Sequence, residues 1–238
     1  MEEKVKKLLL DPRFLDVEGW LNPNVADVVV AWTEYFYSCE GYSKAAALEI
    51  GVHHGRFFLV LEASTPAPLK CYAYDLFDEL QSKNIDGSGK GNKEAFLKNV
   101  ERFAQYPHRV QPIEGDSFSI RAAPVPHSYN LISIDGGHSR EHTAYDLQYA
   151  NDTIMPGGLV VLDDFTNPNW LGVMEGLFDF LGQPSRRICP MFVGFNKLFL
   201  TTISECETTR SAMESSLDSK LGRVSQLKGY PVRALVAR

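Results

Sequence analysis

From about residue 45 onward, the chain alternates between short apolar runs and stretches with the apolar spacing of a helix. Near-continuous apolar strands that alternate with helices are typical of a parallel sheet covered on both faces. Two further strands, joined by a turn at Gly194–Asn196, close the pattern. We therefore predict a doubly wound α/β fold with a mostly parallel, seven-stranded sheet, helices on both faces and an antiparallel last strand. The predicted strands lie within residues 45–52, 70–77, 108–117, 129–137, 157–165, 186–195 and 196–202.

The two flanks of this pattern are short. Residues 1–44 are predicted to form a helical cap. Residues 204–238 are predicted to form a polar helix followed by an edge strand in the segment GYPVRALVAR. Neither flank is large enough to bury a core of its own. The 238 residues are therefore predicted to form one domain, with its central part in residues 45–203.

Composition and charge narrow the classes of function. The net charge of −6 is unlike that of a nucleic-acid-binding surface, which is usually basic. No apolar run reaches the roughly 18 residues of a membrane span, and the first residues lack the pattern of a signal peptide. The 4 cysteines contain no CxxC pair, as is usual for reduced cytosolic thiols. We expect a cytoplasmic protein without a nucleic-acid or membrane partner.

Residues that can carry chemistry gather where the predicted strands end. The first strand ends in LEIGVHHG, which places Glu49, Gly51 and Gly55 at a turn before a helix. Glycines there let the backbone approach a ligand that faces the helix N-terminus. The spacing is not the GxGxxG of dinucleotide-binding proteins, which disfavours a nucleotide-dependent oxidoreductase. Asp75 ends the second strand, where an acid either binds ribose hydroxyls or caps the next turn.

Three further acids end the fourth and fifth strands. Asp135 closes LISID, and Asp163 and Asp164 close LVVLDD. Adjacent parallel strands lie about 4.8 Å apart, so we expect these carboxylates to converge. Like charges at that distance need a cation, and oxygen ligands select a hard ion such as Mg²⁺. Alternatively, the aspartate pair only caps a turn at Asn167–Pro168.

This order of motifs resembles that of class I S-adenosylmethionine-dependent methyltransferases. Their motif E-x-G-x-x-x-G, the acid that ends strand two and the Gly-Asp step after strand three are matched by Glu49, Gly51, Gly55, Asp75, Gly115 and Asp116. The resemblance covers about residues 45–201 and implies a Rossmann-like methyltransferase sheet with S-adenosylmethionine as the cofactor. The cofactor-binding residues that it implies are Glu49, Gly51, Gly55, Asp75, Asp116 and Asp135.

The pattern of Asp135, Asp163 and Asp164 resembles more narrowly that of metal-dependent O-methyltransferases of the catechol and caffeoyl-CoA type. It is closer still to relatives that methylate sugar hydroxyls of macrolides, in which a histidine three residues after the first aspartate is the general base. His138 matches that position. The resemblance implies that Asp135, Asp163 and Asp164 hold Mg²⁺ or another hard divalent ion, and that His138 is catalytic. The expected function is O-methylation of a small hydroxylated acceptor, either a sugar or a catechol-like diol, because a metal can orient such an acceptor and lower its pKa.

Other interpretations stay open at the level of sequence. His138 could instead serve the helix N-terminus or hydrogen-bond to a neighbouring catalytic group. The methyltransferase could be independent of metal, with the aspartate pair structural, or the chain could bind S-adenosylmethionine as a regulatory or assembly subunit. The sequence does not identify the acceptor, and it leaves homo-oligomerisation open.

The glycine-rich segment Phe77–Asn92 needs a separate interpretation. It lacks the Ser or Thr that follows Gly-Lys in a Walker A motif, and it lacks the final Glu of an EF-hand loop. It is either a lid or substrate loop, in which Gln81, Asn84 and Asp86 could reach an acceptor, or a solvated connection. Trp170 is placed either to line an acceptor pocket or to pack the following helix.

Overall fold

The computed structural model describes residues 1–40, 44–122 and 129–237. The strands of these residues form one sheet, and they are β1 (Ala46–Ile50), β2 (Cys71–Asp75), β3 (Val110–Glu114), β4 (Tyr129–Ile134), β5 (Ile154–Leu162), β6 (Ile188–Gly194), β7 (Lys197–Thr202), β8 (Leu221–Leu227) and β9 (Tyr230–Leu235). Within the described part of the chain the sheet has nine strands, in the order β3-β2-β1-β4-β5-β7-β6-β9-β8.

Helices connect the strands and cover the sheet. The α-helices are α1 (Glu2–Leu10), α2 (Pro23–Ser38), α3 (Arg56–Ser64), α4 (Phe77–Leu80), α5 (Lys93–Phe103), α6 (Arg140–Thr153), α7 (Leu171–Leu181) and α8 (Cys206–Ser216). Short 3₁₀ helices lie at Pro12–Asp16, Gln81–Lys83, Pro107–Arg109, Ser117–Ala122 and Asp218–Lys220.

Helix α5 shows how the sequence specifies these elements. Asn92 caps its N-terminus, because the Asn92 side-chain oxygen accepts a hydrogen bond from the backbone N–H of Ala95 at 2.8 Å. Phe96, Val100 and Phe103 recur at helical spacing and are buried. The cap fixes where the helix begins, and the buried apolar face fixes which side of it packs on the core.

The parallel strands bring their carboxyl ends to one edge, as the sequence predicts. Ile50 lies opposite Ile134, and Ile134 lies opposite Leu162, so β1, β4 and β5 end level with one another. The residues that follow these strands must then share one side of the sheet. Strand β7 runs antiparallel to β5, and so begins at the edge where the parallel strands end. The predicted antiparallel closing hairpin of β6 and β7 is confirmed.

The predicted number of strands is wrong, because the C-terminal segment adds β8 and β9 to the expected seven. The segment GYPVRALVAR does form a strand, β9, but this strand pairs with β6 on one side and β8 on the other. Strand β8 is the true edge, and most of its residues are exposed or half-buried. An edge strand that buries neither face carries no apolar alternation, so its sequence gives little sign of a strand.

The N-terminal helices share a core with the rest of the chain. Side chains of α1 and α2 belong to the same buried cluster as those of α3, α5 and α8. The indole N–H of Trp32 donates to the carbonyl oxygen of Gly157 at 3.0 Å, which links α2 directly to β5. Among the residues described, no helix combines the length and apolarity that crossing a membrane requires.

Candidate active site

A cavity of about 750 Å³ opens beyond the carboxyl ends of the parallel strands. This is where ligands bind in open α/β sheets, because the loops after the strands meet there. Eight predicted site residues line it: Glu49, Gly51, Asp75, Asp116, Asp135, His138, Asp163 and Asp164. Gly55, the remaining predicted residue, is not among its lining residues.

The two glycines after β1 have different roles. Gly51 has a φ of 83°, and a Cβ built on it would overlap the carbonyl oxygen of Asp135. Gly55 caps α3 with a φ of 90°, and a Cβ there would meet the ring of Phe96 at 3.0 Å. Both positions therefore need glycine for packing and backbone conformation. Only Gly51 is also placed to contact a ligand.

Asp75 holds the turn that follows β1. Its carboxylate accepts hydrogen bonds from the backbone N–H of His53 at 2.8 Å and of Phe77 at 3.0 Å. The capping role that the sequence allowed is therefore present, and the carboxylate still lines the cavity. Because a carboxylate has about four acceptor sites, two backbone bonds leave capacity for a ligand hydroxyl.

Asp116 follows β3 and also lines the cavity. Its carboxylate accepts the backbone N–H of Phe118 at 3.0 Å. The ring of His142 packs on the Phe118 ring with centroids 4.1 Å apart, and its Nε2 lies 4.0 Å from Asp116 Oδ1. His142 thus borders the predicted cofactor region rather than the aspartates after β4 and β5.

Four ionisable groups that line the cavity lie close together: Glu49, Asp135, Asp163 and Lys197. Asp135 and Asp163 lie side by side, and the ammonium of Lys197 pairs with the Asp163 carboxylate. Burial and the neighbouring Asp163 raise the pKa of Asp135 well above its ordinary value. Burial also raises the pKa of Glu49 to about 8, although Lys197 and a hydrogen bond from Ser133 oppose that shift. The carboxylates converge here as expected, and the ammonium group of Lys197 lies among them.

Lys197 was not among the predicted site residues. It begins β7 and is 3% exposed. Carboxylates raise its pKa although burial alone would lower it, so it stays charged. The sequence indicates only its position: the lysine is the second residue of NKLFLTT, beside the hairpin turn, and an antiparallel closing strand begins at the edge where the aspartates lie.

His138 uses both of its ring nitrogens. Nε2 lies 2.9 Å from Asp164 Oδ2, and Nδ1 lies 2.9 Å from Asp86 Oδ2. Burial alone would lower the pKa of His138, but the hydrogen bonds to Asp164 and Asp86 outweigh it and raise the pKa. The ring also stacks on Trp170 with centroids 4.4 Å apart. His138 is therefore held on three sides.

Asp164 bonds a different set of groups from Asp163. It adopts a φ of 57°, which turns its side chain out of the line of β5. Its Oδ1 accepts hydrogen bonds from the side-chain amides of Asn167 at 2.8 Å and Asn196 at 2.6 Å. Although burial would raise the pKa of Asp164, these bonds and that from His138 lower it, so the carboxylate is ionised.

The structure thus offers a possible metal site in which His138 takes the place of Asp163 in the predicted set of ligands. One ligand atom from each of Asp135, His138 and Asp164 lies within 4.8 Å of the others. Asp163 is not in that group, and its charge is already met by Lys197. The assignment of Asp135, Asp163 and Asp164 to a metal remains a prediction, as do the cofactor roles and the catalytic role of His138.

The cavity also offers polar groups to a cofactor. Glu49 Oε2 is buried and makes no hydrogen bond to any residue that the structure describes. Glu49 lines the cavity beside Gly51, where the backbone allows close approach. An unsatisfied buried carboxylate oxygen costs stability unless a ligand such as an ammonium group meets it. This fits a cofactor with a charged amino-acid portion, as S-adenosylmethionine has.

Residues 48–165 match the model of a family described as a methyltransferase domain. No curated protein matches the chain significantly. Among solved structures, the chain is similar to an O-methyltransferase from Bacillus cereus in complex with SAH, at 13% identity and a TM-score of 0.56, over 85% of this chain and 91% of that one.

Two further solved structures share the fold. TomG from Streptomyces achromogenes, an O-methyltransferase in complex with SAM, is 15% identical with a TM-score of 0.55, over 85% of this chain and 90% of that one. CalS11, a TDP-rhamnose 3'-O-methyltransferase of calicheamicin biosynthesis, is 16% identical with a TM-score of 0.51, over 84% and 93%. The family match confirms the predicted methyltransferase class, because residues 48–165 are a methyltransferase domain. The shared fold agrees with that class.

Proposed function

We propose that the protein transfers the methyl group of S-adenosylmethionine to a hydroxyl of a small acceptor, a sugar or a catechol-like diol, with help from Mg²⁺ or another hard divalent ion. The observation that carries this proposal is one cavity that joins the glycine turn at Gly51 to the group of Asp135, His138 and Asp164. Solved structures with this fold include the TDP-rhamnose 3'-O-methyltransferase CalS11, which supports an oxygen acceptor.

Charge balance supports a divalent ion at this site. Glu49, Asp135 and Asp163 supply three carboxyl groups, and Lys197 supplies one positive charge. The negative charge that remains is compensated by protons, as the raised pKa values of Glu49 and Asp135 indicate, by a cofactor ammonium group beside Glu49, or by a divalent cation beside Asp135. Asp135 and Asp164 would hold such an ion, which would orient neighbouring hydroxyls and lower their pKa.

The protein's own residues then supply binding and proton transfer. Asp75 and Asp116 border the part of the cavity nearest the glycine turn and would contact the cofactor. Trp170 and His138 line the part beside the aspartates, where an acceptor would lie. The acceptor oxygen would form its bond to the methyl carbon as the S–CH₃ bond breaks, and S-adenosylhomocysteine would leave. The hydroxyl proton would pass to His138 Nε2 after that nitrogen has released the proton that it shares with Asp164.

One nitrogen of His138 is a candidate for two roles. Nε2 lies beside Asp164, so the same atom is placed to bind a metal or to accept a proton. A lone pair cannot do both at once. We assign His138 the proton, because its Nδ1 already has a carboxylate partner, the arrangement that makes a histidine a general base.

Isothermal titration tests binding first. We expect micromolar S-adenosylmethionine binding, no NAD binding, and Mn²⁺ binding that Asp164→Asn weakens at least tenfold. The matched control is Asp152→Asn, an exposed acid at the far end of α6, which should change neither affinity. Loss of S-adenosylmethionine binding in Asp164→Asn would show that this residue organises the whole site rather than a metal.

Methyl transfer is then followed as S-adenosylhomocysteine formation with a panel of catechols and nucleotide sugars. EDTA should abolish the activity and Mg²⁺ should restore it. His138→Ala should lower kcat about 100-fold or more, the usual contribution of a general base. Undiminished turnover in EDTA would refute the metal part of the proposal while leaving O-methylation intact.

A metal-independent methyltransferase is the second candidate. The buried pair of Lys197 and Asp163 favours it, because the cation that the aspartates require is then already part of the chain. In that case EDTA leaves the activity unchanged, and Mn²⁺ does not bind at the cavity. The same titrations therefore separate the two candidates.

A further inference from the structure

The segment Phe77–Asn92 docks on the candidate site through the Asp86 carboxylate and the Ser88 hydroxyl, whose Oγ lies 3.2 Å from His138 Nδ1. Asp86 Oδ2 accepts a hydrogen bond from the backbone N–H of His138 at 2.9 Å, and it lies 2.9 Å from Nδ1 of the same ring. Asp86 and His138 are 52 positions apart in the chain, so only the tertiary fold brings them together. The side chain of Asp86 is 14% exposed.

Hydrogen bonds within the loop direct this carboxylate toward the site. Asp86 Oδ1 accepts bonds from the backbone N–H and the hydroxyl of Ser88, at 2.9 and 2.5 Å. The side-chain amide of Asn84 donates to the carbonyl oxygen of Ser88, and its oxygen accepts the N–H of Gly87 at 3.2 Å. One oxygen of Asp86 thus belongs to the loop and the other to His138.

We propose that Asp86 is the positioning residue of His138, an inference that rests on the function proposed above. A carboxylate on Nδ1 keeps a proton on that nitrogen, so that Nε2 takes the acceptor proton once it has released the proton that it shares with Asp164. Nε2 is the nitrogen that faces Asp164 and the cavity. Trp170 fixes the plane of the ring, since the two rings stack with an angle of 16° between them.

The same contact couples the loop to the base. Because one oxygen of Asp86 bonds both the backbone and the ring of His138, the loop cannot leave the site without releasing the imidazole. Ile85, which is 68% exposed and lines the cavity, travels with Asp86. The segment Phe77–Asn92 would therefore cover the acceptor and orient His138 at the same time.

Proton NMR of the full-length protein tests the contact without any substrate. A proton on Nδ1 that is hydrogen-bonded to a carboxylate and shielded from solvent gives a downfield resonance, which disappears in His138→Gln. It differs from the resonance of a proton on Nε2 because it persists in Asp164→Asn. We expect Asp86→Ala to abolish this resonance and Asp86→Asn to shift it upfield. Asp78→Asn is the matched control, because Asp78 lies in the same segment but bonds Asn92 and Lys93 instead. A resonance that survives Asp86→Ala unchanged would overturn the proposal.

A double-mutant cycle tests the role in catalysis, with 3,4-dihydroxybenzoate as the probe acceptor. Asp86→Ala should lower kcat about tenfold or more with little change in the KM for S-adenosylmethionine, and should have no further effect in the His138→Ala background. Asp78→Asn should act independently of His138. An Asp86→Ala effect that persists in full without His138 would mean that Asp86 only supports the loop. If the wild type does not methylate the probe, the catechol version of the proposed function fails, and the NMR result still decides the role of Asp86.

Discussion

The ammonium of Lys197 pairs with the carboxylate of Asp163 in the floor of the cavity, and Asp135 lies against both. This relationship divides the predicted trio of aspartates in two. Asp163 faces the lysine, whereas Asp164 faces His138. The positive charge of Lys197 reduces the negative charge of the site. A ligand that binds there has to complement the negative charge that is left.

Replacing this cation should destabilise the protein. Lys197→Met leaves Asp163 buried without its partner, so we expect a loss of about 3–5 kcal/mol in the free energy of unfolding, measured by urea denaturation. Lys98→Met is the control, because Lys98 pairs with Glu94 on the surface, where both side chains are more than 70% exposed. That change should cost at most about 1 kcal/mol. Equal effects of the two substitutions would contradict the structural role of Lys197.

The double variant Lys197→Met with Asp163→Asn should recover part of the loss. Removing both charges leaves no unpaired ion in the core, so the two substitutions should be markedly non-additive. Additive losses would show that Lys197 and Asp163 do not interact.

Metal affinity should rise with pH. Asp135 has a raised pKa, so it keeps, at pH values where an ordinary aspartate is ionised, a proton that a metal ion has to displace. A higher pH removes that proton in advance, and the affinity for Mn²⁺ should increase until Asp135 is ionised. Titration calorimetry in buffers of different ionisation enthalpy counts the released proton. Binding of Mn²⁺ without proton release, or release that persists in Asp135→Asn, would exclude Asp135 as its source.

Asp146 should make stability depend on pH. Asp146 is fully buried in α6, and burial raises its pKa to about 8 although Ser117 partly offsets the shift. Above about pH 4 the unfolded chain loses a proton that the folded protein retains, so the free energy of unfolding falls as pH rises from about 4 to 8. Asp146→Asn has the shape of the protonated acid and removes this dependence.

The melting temperature of Asp146→Asn, relative to that of the wild type, should therefore be higher at pH 8 than at pH 5 by about 3 °C or more. Differential scanning calorimetry at the two pH values measures this difference. A constant difference between the two proteins across that range would show that Asp146 is ionised in the folded state.

Gly51 and Gly87 should respond differently to alanine. Both have a positive φ, so the backbone strain is similar, about 1 kcal/mol. A Cβ at Gly51 would overlap the backbone of Asp135, whereas a Cβ at Gly87 has no neighbour within 4 Å. We expect Gly51→Ala to prevent stable folding or to lower the melting temperature by more than about 10 °C, and Gly87→Ala to change it by only a few degrees. Similar losses in both variants would mean that φ alone, and not contact with Asp135, requires glycine at position 51.

The sequence determined the order of strands and helices and the edge of the sheet where the chemistry gathers. Apolar runs, glycine turns and strand-end acids are local features, and the carboxyl ends of parallel strands must share one edge. Glu49, Asp75, Asp135 and Asp163 therefore lie at one cavity, as predicted. Strand β8 was not predictable in this way, because most of it lies open to solvent and carries no apolar pattern.

Only the tertiary structure decided how the charges pair. Lys197 reaches Asp163 from a hairpin 34 positions later, and Asp86 reaches His138 from a loop 52 positions earlier. Residues so far apart meet only after the sheet has formed, and no spacing in the sequence marks the meeting. The sequence alone could state that the carboxylates need a positive partner, since that follows from charge and burial. It could not state that the chain itself supplies one, because that depends on where β7 begins in space.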